Sequence, residues 1–415
     1  MNEATELSSD LQTRPVIGTE TLADILFTLA YTSASGTHTE RYYARGVNFW
    51  RDILPESIYF RLMGKRAGDS VTLPMPAGQL YPAHQPQQVL TIPMSRFRDR
   101  LPNGTRVSPR RGRYYPKGLL EGLTGVFPQN TEPFRCVDVE PSRLTADMNH
   151  PLAATATQLT ADIQDVRIKA AERGGTSIDW FENLTSGPGM QVRNASENTD
   201  FFVQSPFERS DESPDERFYR MPRFVNHLDD QAIELIGALY GSQLKPNMRV
   251  LDLMSSWVSH LPPDLKPLEL TGLGMNRAEM TANERLDRAV VHDLNRNPEL
   301  PFDSGYFDAV ICTVSVEYMT RPFDVFEEIS RILKADGTFI VTFSNRWFPP
   351  KVVRIWQELH DFERMGLVLE YFMNAGKFTA LETLSIRGYP RPIYDRYFPE
   401  LQLADPVYAV WGRKA

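Results

Sequence analysis

Five short, nearly all-apolar runs follow one another in the last two fifths of the chain. They are Arg249-Val250-Leu251-Asp252-Leu253, Leu268 to Leu273, Ala289 to Val291, Phe307 to Cys312 and Thr338 to Phe343. Runs this short without polar alternation suit strands that are covered on both faces. Helical stretches lie between them, notably Pro322 to Leu333, and Asp229-Asp230 can cap a helix over Ala232 to Tyr240. This alternation predicts a parallel sheet covered by helices over about residues 230–415.

Two different regions precede it. From Val16 to Ala171 the pattern is strand-rich. Ile25, Phe27, Leu29 and Tyr31 alternate with Leu26, Thr28 and Ala30, the period of a strand. A helical stretch from Ser57 to Met63 ends at Gly64, and strands are expected at Ser70 to Pro74, Gln87 to Ile92 and Thr157 to Ile168. Residues 172–229 carry connector signals: Gly174-Gly175, Ser186-Gly187-Pro188-Gly189 and the acidic run Ser210 to Glu216. The connector also carries Trp180, Phe181, Phe201, Phe202, Phe207, Phe218 and Tyr219, which a solvated tether would not. It therefore reads as an extended strap packed on a neighbouring domain.

Composition narrows the function classes. The chain has 415 residues, 41% of them hydrophobic and 24% charged, and this excludes mostly disordered and membrane-embedded proteins. A net charge of −8 leaves no global attraction for nucleic acid. Cys136 and Cys312 are too far apart in sequence for a zinc knuckle, and no metal site is expected. The polar start, Met1 to Arg14, shows no secretory signal, so a cytoplasmic location is expected.

The segment Leu300-Pro301-Phe302-Asp303-Ser304-Gly305-Tyr306-Phe307-Asp308-Ala309-Val310, with Glu327 to Gly337 after it, resembles class I S-adenosylmethionine-dependent methyltransferases. The likeness spans about Asp230 to Asn345. It implies an α/β Rossmann-like domain with S-adenosylmethionine as cofactor, and a turn at Lys334 to Gly337 between helix and fifth strand. Ligands of such sheets sit beyond the carboxyl ends of the strands. The resemblance therefore implies cofactor contacts from Asp252, Ser255 and Ser256, from Met275 and Asn276, and from Asp293 and Leu294. Two departures stand out. The loop Met254-Ser255-Ser256-Trp257-Val258-Ser259 has none of the family's glycines, and Gly274 stands where an acid normally takes the ribose hydroxyls. Asn276 suits a ribose hydroxyl or a helix N-cap equally. Asp293 suits the adenine amino group or a surface turn. The Ser-Ser-Trp loop, with the run Phe218 to Asp230, is also similar to a poorly characterised methyltransferase-like branch. His260, His292, Glu317 and Tyr318 are the candidate bases, and Trp347, Phe348, Trp356 and Tyr371 form either a substrate wall or core.

Asn149-His150-Pro151-Leu152-Ala153, followed by a strand, resembles SlyD-like FKBP peptidyl-prolyl isomerases. That likeness implies an α+β FKBP-like sheet over 16–171, with an inserted flap at about 85–148. It also implies a prolyl-isomerase cup at Tyr31, Ile53, Leu54 and Tyr81 and a proline-containing polypeptide client. His150 reads as a turn residue. Within the flap, Arg106, Arg110, Arg111, Arg113 and Lys117 form either a local basic patch for RNA or an acidic client, or a solvated hairpin. The combined expectation is a two-domain fusion, with three functional readings open. It is a methyltransferase of unknown acceptor with a chaperone-like module, a folding factor with isomerase activity, or a non-catalytic scaffold.

Overall fold

The computed structural model describes residues 15–101, 104–170, 174–194, 198–202, 204–265 and 268–415. Residues 1–14, on which the expectation about a leader rests, lie outside them.

The N-terminal region builds β1 (Thr21–Ser33), β2 (Gly36–Asn48), α1 (Glu56–Leu62) and β3 (Ser70–Met75). It then gives a four-strand insert, β4 (Val89–Pro93), β5 (Tyr114–Pro116), β6 (Pro133–Val139) and β7 (Arg143–Asp147), and returns as β8 (Thr157–Ile168). The alternation expected in β1 is observed: Ile25, Phe27, Leu29 and Tyr31 are buried, while Leu26, Thr28 and Ala30 are half-buried. The connector contributes α2 (Trp180–Thr185) and α3 (Asp215–Tyr219).

The C-terminal region starts with α4 (Asp230–Gln243), capped by the Asp229 carboxylate on the Ala232 N–H. It continues through β9 (Arg249–Leu253), β10 (Glu269–Gly274), α5 (Arg277–Ala282), β11 (Arg288–Val291), β12 (Phe307–Thr313) and α6 (Pro322–Ile332). It ends with β13 (Leu333–Phe343), α7 (Arg354–Glu358), α8 (Asp361–Ala375), β14 (Phe378–Arg387) and β15 (Val407–Lys414). All five apolar runs are strands, and β9 to β13 pair in parallel. The expected turn at Lys334 to Gly337 is an irregularity inside the strand, where pairing with β12 skips from Leu333 to Thr338. The strand begins at Leu333, directly after the helix, and absorbs the irregularity through a left-handed Asp336.

One sheet joins the two regions. Its order is β11-β10-β9-β12-β13-β15-β14-β2-β1-β8-β3, eleven strands among the described residues. At the seam β14 runs parallel to β2 from Glu382/Thr37 to Arg387/Tyr42. The approach is close enough that a Cβ on Gly36 would lie 2.2 Å from the Leu381 carbonyl oxygen. His38 Nδ1 lies 2.8 Å from Thr383 Oγ1 across the seam, and Ser385 Oγ donates to the buried Glu40 carboxylate.

The insert forms a separate four-stranded antiparallel sheet, β4-β7-β6-β5, around its own small core of Ile92, Tyr115, Phe134 and Leu144. It is docked, not a free flap. Arg113 and Glu363, both about 1% exposed, form an ion pair at 3.1 Å between the insert and α8. The expected basic patch is charge-neutral as well: Arg106 meets Asp99, Arg110 meets Asp200, Arg111 meets Asp138 and Lys117 meets Glu132.

The connector is not one extended strap, and it divides its aromatics between two cores. Trp180, Phe181 and Leu184 pack with the N-terminal sheet, while Phe201 belongs to the C-terminal core with Phe202 and Phe207 against it. No helix among the described residues is long and apolar enough to cross a membrane.

Candidate active site

The strand order reverses between β9 and β12, so the carboxyl ends there diverge and leave a crevice. The crevice is a cleft lined by the ends of β9, β10, β11 and β12. All seven residues that the sequence proposed for the cofactor line it: Asp252, Ser255, Ser256, Met275, Asn276, Asp293 and Leu294.

The glycine-less loop is held by a carboxylate instead. Buried Asp252 accepts through one oxygen, Oδ2, from Ser255 Oγ and Ser259 Oγ, both at 2.7 Å. Asn283 donates to Ser259 Oγ at 2.9 Å and to the Ser256 carbonyl at 3.2 Å. Burial pushes the Asp252 carboxyl up to about 6 against the pull of the two serine bonds. The loop then folds onto β10, where Ser255 N donates to the Leu273 carbonyl at 2.8 Å. This contact explains Gly274: a Cβ there would lie 2.1 Å from the Ser255 carbonyl oxygen. The missing glycines and the missing acid are therefore one structural change. Sequence reasoning missed Ser259 and Asn283, although a Ser-Ser-x-x-Ser spacing after a buried acid was a visible signal.

Asn276 is the N-cap of α5, accepting from Glu279 N at 3.2 Å and donating to the Tyr219 carbonyl at 2.8 Å. Its amide serves as the cap that the sequence allowed, at the wall of the cleft. Glu279 is a carboxylate that lines the same wall, accepting from Ser256 Oγ at 2.6 Å and Arg223 N at 2.8 Å. Asp293 uses Oδ1 on the N–H groups of Asn295 and Arg296, a turn that leaves Oδ2 without a bond among the described residues.

The connector roofs the cleft. Asp215, Tyr219, Arg223 and Val225 to Leu228 line it. Trp257, which looked too bulky for a cofactor loop, turns to this roof, donating to the Val225 carbonyl at 3.2 Å and meeting Phe224 edge to face. Arg209 and fully buried Lys351 anchor Asp215 at 2.7 and 3.2 Å.

Of the candidate bases, His260, His292 and Tyr318 line the cleft and Glu317 does not. His292 Nε2 is tied to the Asn297 carbonyl at 2.7 Å, and the Tyr318 hydroxyl accepts from Phe348 N at 2.8 Å. His260 is neutral, its imidazole pushed down to about 4 by burial, and its buried Nδ1 has no partner among the described residues. Glu317 is a buried acid beneath the wall, pushed up to about 8 by desolvation, with no side-chain hydrogen bond to either oxygen among the described residues. Backbone strain concentrates here. Met254, His260 and Val314 all line the cleft with positive φ, and for β-branched Val314 that is a true outlier. Of the aromatic wall only Phe348 reaches the cleft, whereas Trp356 and Tyr371 are core.

Residues 260–341 match the methyltransferase domain family. That match supports S-adenosylmethionine as the cofactor. The cleft suits it, since a sulfonium and an ammonium group would face the carboxylates of Glu279 and Asp293, while Asp215 is paired with Arg209 and Lys351 and Asp252 is held by two serines. The orphaned His260 Nδ1 marks a wall that awaits a polar ligand atom. Solved structures similar to this chain include S-adenosylmethionine-dependent methyltransferases of Thermotoga maritima, Archaeoglobus fulgidus and Aquifex aeolicus. The first is 15% identical, covers 45% of this chain and 91% of its own, and has a TM-score of 0.33. The second is 15% identical, with 44% and 94% covered and a TM-score of 0.32. The third is 15% identical, with 46% and 92% covered and a TM-score of 0.30. A comparison with curated proteins finds no match.

Of the four residues expected to form an isomerase cup, Tyr31, Tyr81 and Leu54 belong to one apolar cluster and Ile53 lies outside it. Tyr31 is buried, donating to Glu40 at 3.0 Å and accepting from Gly189 N at 2.9 Å and Gln191 Nε2 at 2.5 Å. Tyr81 is buried against the His150 ring at 4.0 Å. Ile53 lies on the surface, bridged to Asp179 of the connector, and Leu54 is half-buried. Trp180, Phe181 and Leu184 of the connector pack into that same cluster. His150 acts as the turn residue expected, with Nδ1 accepting from Leu152 N at 3.1 Å.

Proposed function

We propose that this protein is an S-adenosylmethionine-dependent methyltransferase whose cofactor lies beneath the connector, in the cleft at the carboxyl ends of β9 to β12. The observation that carries this reading is the convergence of seven sequence-derived cofactor residues on one cleft, four of them (Met275, Asn276, Asp293 and Leu294) inside the segment 260–341 that matches the methyltransferase domain family. When bound, the cofactor supplies an activated methyl group on a sulfonium. The protein's part is to hold it in line with an acceptor and to keep water out, which is much of the catalysis of a displacement. Asp293 Oδ2 takes the adenine side. Glu279, one turn into α5, takes the ribose that Gly274 leaves without an acid. Asp252 does not contact the cofactor directly but fixes the loop beneath it.

For the N-terminal unit, resemblance to a SlyD-like FKBP module favours a role in presenting or positioning substrate. Prolyl isomerisation has less support, because Tyr31 and Tyr81 are sealed. Calorimetric titration of the full chain with S-adenosylhomocysteine tests the reading. Saturable binding is expected, weakened about tenfold or more in Asp293→Ala and Glu279→Gln, the loss of one charge-assisted hydrogen bond. A folded protein that releases no heat with millimolar ligand would overturn it.

A further inference from the structure

A second cleft of about 590 Å3 adjoins the first and shares its wall, Val225 to Leu228 together with Val314, Tyr318 and Phe348. Its outer side is the loop between β14 and β15, with Tyr394, Arg396 and Tyr397, and Trp347 also lines it. We propose that this second cleft binds a single-ring aryl alcohol, a phenol-class molecule, with its hydroxyl at His227. The proposal rests on the first cleft being the cofactor site, for the phenol is then the methyl acceptor.

Three observations carry it. The lining is aromatic, with Trp347, Phe348, Tyr318, Tyr394 and Tyr397, which suits a flat ring. The volume falls within the range of small-molecule pockets. Last, the polar groups are matched to one reaction. The His227 ring sits edge to face on Phe348 at 5.0 Å and lines both clefts, with an edge open to solvent. Burial, then the Arg223 cation and more weakly Arg396, lower its basicity, with Glu279 opposing, and His260 faces it across the first cleft. The lowered basicity makes the imidazole a weaker proton acceptor, so the transfer depends on the Arg396 cation to stabilise the oxyanion that forms. Arg396 stands beside it, donating to Tyr397 Oη at 2.7 Å and stacking on that ring at 4.5 Å. It has no carboxylate within ion-pair distance among the described residues. The acids of this cleft are otherwise engaged: Asp229, Asp395 and Asp405 on Arg391, and Asp230 on the Tyr394 hydroxyl. An aryl hydroxyl here passes its proton to an imidazole nitrogen of His227 and leaves an oxyanion beside Arg396. Nothing is oxidised or reduced.

The test uses 4-nitrophenol, whose absorbance distinguishes phenol from phenolate, with the full chain and no cofactor. At a pH where the free probe is mostly un-ionised, saturable binding with growth of the phenolate band is expected. Arg396→Gln should weaken binding about tenfold, as for a charged hydrogen bond. His227→Gln should keep binding within about twofold but abolish the phenolate band. Both side chains are exposed, and circular dichroism verifies folding. Absence of saturable binding, or a phenolate band unchanged in His227→Gln, overturns the proposal. A parallel titration with S-adenosylhomocysteine separates the two readings. If it binds and 4-nitrophenol does not, only the phenol site falls. If 4-nitrophenol alone binds, the cofactor reading falls and with it the phenol's role as methyl acceptor, while the phenol site itself stands.

Discussion

At the scale of single residues, the site turns on a contact between two loops. The Ser255 carbonyl oxygen occupies the place where a side chain at 274 would begin. Gly274→Ala should therefore destabilise the fold by about 2 kcal/mol or more, among the larger single-residue effects. Ser255→Gly should not relieve it, since the clashing atom is backbone. Chemical denaturation of the two variants and their combination checks this. Asp252 makes a second prediction. Its unfolded carboxyl titrates near 3.8 and its folded one near 6. Below the lower value both states are protonated and burial carries no charge penalty. Between the two, the unfolded chain ionises first, so the folded state loses about 3 kcal/mol as pH rises. Glu40, pushed up to about 7, and Glu317, pushed up to about 8, act in the same direction at higher pH. Four buried histidines, His38, His150, His260 and His360, are pushed down to about 4 and act the opposite way between about pH 4 and 6.5. The decline of the whole protein is therefore expected above about pH 6.5, and the effect of Asp252 is read as a difference: Asp252→Asn should gain stability relative to the wild type as pH rises from about 4 to 6. A difference between the two proteins that stays constant from pH 4 to 7 would contradict this.

At the scale of elements, the insert behaves as a docked sheet, and its anchor is the buried Arg113–Glu363 pair. Glu363 also accepts from Tyr114 N at 2.8 Å. Removing the arginine alone strands a carboxylate in the core. Arg113→Ala is expected to cost about 3–5 kcal/mol, and Arg113→Met with Glu363→Gln much less, because no charge is then left buried. Equal losses in the two variants, measured by thermal unfolding, would show that the pair itself is not the anchor. The acidic stretch Ser210 to Glu216 reads in sequence as a linker. Here its backbone is pinned, with Asp211 N donating to the Pro350 carbonyl at 2.9 Å and Ser210 Oγ donating to the Pro349 and Pro350 carbonyls at 3.2 and 3.3 Å. Charge and Ser/Pro content predict solvation, but they cannot reveal a partner that lies about 140 residues later in the chain.

At the scale of the whole molecule, one sheet runs through both regions, and the connector packs into both cores. A single cooperative unfolding transition is expected, with calorimetric and van't Hoff enthalpies in agreement. Two resolved transitions would mean that the β2–β14 seam is mechanically weak. The sequence by itself determined the local elements of the C-terminal domain and the position of its cleft. Apolar runs, turn spacing and the placement of acids after strands are short-range signals, and the cleft follows from strand order. Only the tertiary structure decided three matters. The amide nitrogen of Asn276 and the hydroxyl of Tyr31 became engaged groups, because Tyr219 on the one and Gly189 and Gln191 on the other come from the distant connector. The basic patch became a set of ion pairs, since opposite charges from other segments fold against it. β14 and β15 joined two regions into one sheet, because the fit of Gly36 against Leu381 depends on chain segments more than three hundred residues apart, and no local pattern encodes such a distance.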